Sequence, residues 1–156
     1  MHWRVLLGSM AWLTSATEGT SAITDQYLLN AETVVHAESA VGRYDRTLHT
    51  EISASLQQAA SDVLLEVRRD SYICILRGAL AGHTVALIQG QKCPQSIKGE
   101  GFQADLDGTL TSGSATIGPH ELILTTNWDV HGTVKLGPLS IPVTGTVSTV
   151  AMGPKT

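Results

Sequence analysis

The chain has 156 residues and a mass of 16.5 kDa, the size of one domain with a single core. Ten Lys and Arg against 14 Asp and Glu give a formal net charge of −4, which argues against a nucleic-acid binder, whose affinity rests on a basic patch facing phosphates. Hydrophobic residues at 42% exclude a disordered chain, and charged residues at 15% leave room for 18 Thr and 13 Ser, which suit a pleated surface better than a helix.

Met1-His2-Trp3-Arg4 leads into a nine-residue apolar run, Val5 to Leu13, and then into a polar stretch with small residues. A positive residue, a short apolar segment and a small-x-small end are the parts of a secretory signal peptide, here with cleavage after Ala16 or Ala22. The run is far short of the ~20 residues that a membrane-crossing helix needs. Nothing later is apolar for long enough either, so no transmembrane span is expected in the mature chain. The alternative is an N-terminal helix packed on the domain. On the signal reading, residues 1–22 are the signal peptide, 23–32 an N-terminal segment, 33–152 a single β domain and 153–156 a tail. The mature protein is then secreted or periplasmic.

Downstream, short alternating runs are separated by turn residues. Leu48, Thr50, Ile52, Ala54 and Leu56 occupy one face of a period-two pattern, with His49, Glu51, Ser53 and Ser55 on the other. A longer run places Leu122, Leu124, Thr126, Trp128, Val130, Val134 and Leu136 on one face. It is either one bent strand or two strands, with Gly132 as the bend or bulge. Directly opposed residues of a hairpin point to the same face, so an inward face is kept only if an even number of residues separates opposed apolar positions. Two residues separate Leu136 from Leu139, and four separate Ile117 from Leu122, Leu110 from Ala115, Leu80 from Val85, Val67 from Tyr72 and Ile97 from Phe102. Six separate Leu56 from Val63 and Val41 from Leu48.

The pattern predicts an all-β fold, an antiparallel meander of eight or nine strands from about Thr33 to Val150, closing as a barrel or a two-sheet sandwich. Leu48, Ile52, Leu56, Ala59, Val63 and Val67 also fit a helical stripe. An α+β fold, with one helix near 45–67 packed on an antiparallel sheet, is therefore the alternative.

Cys74 and Cys93 are an even pair in a chain read as exported, which favours a disulfide. In the meander register they share a face two residues off register, and no second pair completes a zinc site. Ile73, Ile75, Ala86 and Ile88 face outward together. They form a patch covered by residues 23–29 folding across it, or a contact surface for another molecule.

Asp105-Leu106-Asp107-Gly108-Thr109-Leu110-Thr111 resembles the first motif of haloacid-dehalogenase-type phosphatases. The resemblance implies an α/β domain, Asp105 as nucleophile, Asp107 as general acid and a magnesium ion. It covers seven residues, and the preceding Gly99 to Ala104 is not the buried apolar strand that the family places there. Read as a calcium loop, the same string has Leu110 where Gly is required and Thr116 where a Glu is required. The six His are unpaired at ligand spacing, and no catalytic, metal or cofactor constellation is assigned.

The expected function is an exported, non-catalytic β domain with a structural or surface-interaction role. The alternative is a small barrel carrying an apolar ligand, as in lipocalin-like architectures, with Tyr72, Phe102 and Trp128 lining a hollow interior. A phosphatase is the remote third reading. Partners are then an apolar small molecule or another protein, not a nucleic acid.

Overall fold

A computed structural model of the chain describes residues 23–69 and 72–156. The expected signal peptide, residues 1–22, lies outside the described residues. Nine antiparallel strands make up the fold: β1 (Ile23–Ser39), β2 (Gly42–Ala59), β3 (Asp62–Arg69), β4 (Tyr72–Ala81), β5 (Thr84–Leu87), β6 (Lys92–Gly99), β7 (Phe102–Ile117), β8 (Glu121–Leu136) and β9 (Leu139–Pro154). Each pairs with its sequence neighbour except β5 and β6. β1 also pairs with β9, and β5 pairs with β4 on one edge and with β7 on the other. The hydrogen bonds therefore run round a closed ring, and the all-β meander is the observed fold.

The helix considered near 45–67 is two strands with a turn at Ala60-Ser61. The period-two face wins because Ile52, Ala54, Leu56, Val63 and Leu65 all enter the core of one ring. Residues 23–32 are not a separate segment: they are the first half of β1, paired with β2 from Ile23↔Gln58 onward. They therefore cannot fold over the outer face of β4. The tail is likewise mostly strand, since β9 runs to Pro154 and Lys155 bridges back to Tyr27.

The parity rule holds, although several registers differ by two residues. Leu80 opposes Val85, Ile117 opposes Leu122 and Leu136 opposes Leu139, as expected. Elsewhere the hairpin centre lies one residue further along the chain: Leu56 opposes Leu65, Val67 opposes Cys74 and Ile97 opposes Ala104. Val41 sits in the β1–β2 turn and is 70% exposed, so Leu48 opposes Thr33 instead. A shift of two keeps every side chain on its face. Two-residue turns need a left-handed position, supplied by Gly101 (φ 76°), Gly137 (φ 60°) and, unusually, Ala60 (φ 56°).

No turn occurs at Ser112-Gly113. β7 runs straight through, with a register shift between Leu110 and Ser112 that brings both Leu110 and Ala115 inward. A bulge at Thr111 supplies the parity change that a hairpin would have supplied. The same site receives the β5–β6 connection: Gly90 N–H donates to Leu110 O and Leu110 N–H to Gln91 O, each at 2.8 Å.

Five strands are long, at 16–18 residues, and span the full height of the wall. β3 to β6 have only 4–10 residues each. In the lower half the ring is complete, packed with Tyr27, Leu29, Leu56, Leu65, Leu76 and Leu122. In the upper half β3 reaches only as far as Ser53 on β2, so among the described residues Gly42–Ile52 has β1 as its sole neighbour. β6 likewise pairs only with β7. The wall is thus slit between β2 and β6.

Cys74 on β4 and Cys93 on β6 are bonded, with Cα atoms 5.7 Å apart. The bond was expected between adjacent, paired strands. It instead joins two strands that share no hydrogen bonds, and it staples the foot of the slit. Closing a loop of this size contributes about 3 kcal/mol by the chain-entropy argument. Replacing both cysteines by alanine is expected to lower unfolding free energy by about 3 kcal/mol in denaturant titration while keeping the β spectrum. Unchanged stability would contradict the staple.

Candidate ligand cavity

Two hollows occupy the open half of the barrel and share Ile97 and Lys98 in their walls. The one under the rim, about 600 Å³, lies between the β1–β2, β6–β7 and β8–β9 hairpin ends. Its wall is mainly apolar, with Val35, Leu48, Phe102, Leu106 and Val143. The second, about 250 Å³, looks through the slit between the β3–β4 hairpin and β6. Its floor is polar: Thr33, Thr149 and Thr126 stand directly opposite one another on β1, β9 and β8. Thr33 Oγ1 and Thr149 Oγ1 are hydrogen-bonded at 3.0 Å. This threonine row crosses the floor of the hollow, with Ala31, Leu76 and Leu124 of the packed end beside it.

Tyr72 and Trp128 line the slit and Phe102 lines the rim cavity, so all three lie on the hollow's wall. They do not form one cluster. Phe102 meets Tyr44 edge-on with centroids 5.0 Å apart, which brings the top of β2 against the start of β7. Burial pushes the Tyr72 phenol up to about 12, with the Arg69 charge pulling weakly the other way. Burial also raises the pKa of Tyr27, at the packed end, aided by the Asp25 carboxylate.

The walls hold charges that the aromatic list leaves out. Arg46 lies on the inward face of β2 between Tyr44 and Leu48, its guanidinium carbon 5.7 Å from the Tyr44 ring centroid. Arg69, at the end of β3, lines the slit. Parity could have found both, because Arg46 shares the face of Leu48 and Arg69 that of Val67. Gln91 carried no comparable signal. Its side-chain amide stands in for a peptide group where β5 leaves β4: Oε1 accepts from Arg77 N–H at 2.7 Å, and Nε2 donates to Arg77 O at 2.9 Å and Ile88 O at 2.7 Å. The wall opens beyond that point.

Small inward residues do two different things. A Cβ at Gly132 would run into the Asp105 carbonyl, and one at Gly145 into the His36 carbonyl. These glycines let neighbouring strands approach and coil. Ala37 and Ala104 border the rim cavity and leave it wide.

Outside the barrel, Ile73, Ile75 and Ile88 are 45%, 52% and 55% exposed, while Ala86 on β5 is exposed further along, opposite Ala79. Asp105 and Asp107 point outward from the middle of β7. Asp105 accepts weak hydrogen bonds from Ser96 Oγ at 3.3 Å and Gln103 Nε2 at 3.2 Å. The parallel α/β frame implied by the phosphatase resemblance is not the frame of this chain, whose motif sits within an antiparallel strand. Among the described residues no group of three or more His, Cys, Asp or Glu is arranged to hold a metal ion. Among the described residues no helix is long and apolar enough to cross a membrane.

The sequence matches no protein-family model and no curated protein. In three dimensions it is similar to the ywiB protein from Bacillus subtilis, with a TM-score of 0.42 and 10% identity over 89% of this chain and 99% of that one. It is also similar to a candidate AttH protein from Nitrosomonas europaea, with a TM-score of 0.38 and 9% identity over 81% of this chain and 51% of that one.

A phenol whose folded pKa lies above its ordinary 10.0 contributes stability that is intact below that value and lost as pH climbs toward about 12. Tyr72→Phe is therefore expected to lose less stability than the parent across this alkaline window in denaturant titrations. Parallel declines would show that the Tyr72 phenol is not held in the wall.

Proposed function

We propose that the protein is a non-catalytic binder that takes an elongated, largely apolar small molecule into the open half of its barrel. One observation carries this reading: a cavity of about 600 Å³ with an apolar wall, reached through the slit between β2 and β6. Ligand sites are typically concave, apolar and a few hundred Å³ in volume, with a few placed polar groups. Filled barrels of similar strand number lack such space. The unpaired strand edges flanking the slit bear residues that discourage pairing with other chains: the charged Arg43, Asp45, Arg46 and Glu51 on β2, and Lys92, Lys98 and the donor-less Pro94 on β6. The entrance is thereby kept open to small molecules.

A disulfide across the wall suits an oxidising compartment, which supports the reading of an exported protein. A surface-interaction role is the second reading, supported by the adjoining Ile73, Ile75 and Ile88 side chains. Neither reading calls for chemistry by Asp105 or Asp107.

An environment-sensitive apolar dye is expected to bind the parent at one saturable site. Ala104→Phe places a ring in the rim cavity and displaces at least two methylenes of ligand, at ~0.8 kcal/mol each, weakening binding by about tenfold. Thermal melts of the two proteins control for folding. Equal affinities would remove the cavity from consideration and leave the outer patch as the working surface.

A further inference from the structure

The cavity wall has a charge pattern opposite to that of the whole chain. The protein carries a formal net charge of −4, yet the described residues lining the two hollows include Arg43, Arg46, Arg69 and Lys98 against one carboxylate, Glu100. Arg43 is engaged with Glu38 at 3.6 Å. Among the described residues Arg68 also pairs with Glu66 and Lys155 with Asp25, and His36 is hydrogen-bonded to Asp45. Arg46 belongs to none of them.

Its position makes that notable. Arg46 lies between Tyr44 and Leu48 on the face that is otherwise turned to the apolar interior, at a site where an aliphatic residue would extend the wall. The Tyr44 ring supports its guanidinium, and Phe102 braces that ring from the other side of the opening. The five donors of a guanidinium in a fixed fork match a carboxylate.

Resting on the reading that the cavity binds a small molecule, we propose that its ligand is an amphiphilic anion, an acyl chain ending in a carboxylate. The chain lies along Val35, Leu48, Leu106 and Val143, and the carboxylate meets Arg46 at the rim. The positive lining also draws anions toward an otherwise acidic protein.

Calorimetric titration with dodecanoate, dodecanol and dodecyltrimethylammonium separates the head group from the chain. Dodecanoate is expected to bind about tenfold or more tightly than dodecanol, the gain from a charge-assisted hydrogen bond, and the cation most weakly. Arg46→Gln is expected to lower dodecanoate affinity by about the same factor and leave dodecanol unchanged, while Arg46→Lys recovers part of the loss. Equal binding of dodecanoate and dodecanol by the parent, or an equal loss of both in Arg46→Gln, overturns the anion assignment and leaves a carrier of neutral chains. Failure of all three to bind overturns the cavity reading itself, and this inference with it. Arg46 sits on an exposed strand edge, so thermal melts of the variants check that the fold is kept.

Discussion

Everything in this fold depends on how β5 divides its two edges. With only four residues, Thr84–Leu87, it pairs with β4 on one side and β7 on the other, closing the ring in the lower half. The chain then turns at Gln89-Gly90, and β6 continues along β7 without returning to β4. Had β5 run on as one long strand beside β4, the upper wall would be closed. Gln91 fixes the departure by spending its side-chain amide on the Arg77 peptide, and the Cys74–Cys93 bond holds the separating strands at the foot of the gap.

The hollow follows from unequal strand lengths. β1, β2, β7, β8 and β9 rise well above the β3–β4 hairpin, so their upper inward side chains face one another across a space that, of the short strands, only β6 reaches. Below the threonine row Tyr27, Leu29, Leu56, Leu65 and Leu122 are fully buried, whereas Val35, Ala37, Ala104 and Val143 border the space above. Cores close-pack wherever opposing walls can approach. Here the Tyr44–Phe102 contact and the hairpin ends set the width at the rim. The same geometry explains how an arginine can occupy an inward position on β2: its head reaches the opening and does not enter the leucine core.

Much of the fold was legible because period-two alternation reports a face and hairpin parity keeps that face. Leu122 to Leu136 was readable as one face, though not as one strand rather than two, and the cysteines were readable as a bonded pair. Parity alone is blind to shifts of two residues, which is why Leu56 was set opposite Val63 when its partner is Leu65. It is also blind to the difference between a turn and a bulge, since both change parity once; Leu110 to Ala115 was read as a hairpin when the chain continues past a bulge at Thr111. The start of β1 was missed because Asp25, Gln26 and Asn30 look like a polar leader, although the alternating Tyr27, Leu29 and Ala31 are buried. Of the cavity, Tyr72, Phe102 and Trp128 were legible as inward aromatics. The slit was not, because it arises from where β6 fails to pair, and unpaired edges leave no mark in hydrophobic alternation.

The account stands on a barrel closed below and open above, and amide hydrogen exchange resolved by residue tests that directly. In an antiparallel strand alternate amides point to opposite neighbours. With one neighbour absent, every second amide along Gly42–Ile52 and along β6 should exchange rapidly, while Thr84–Leu87 is protected on both edges. Uniform protection of the upper half of β2 would mean that the wall is closed there, and rapid exchange throughout β5 would mean that the ring itself is not formed.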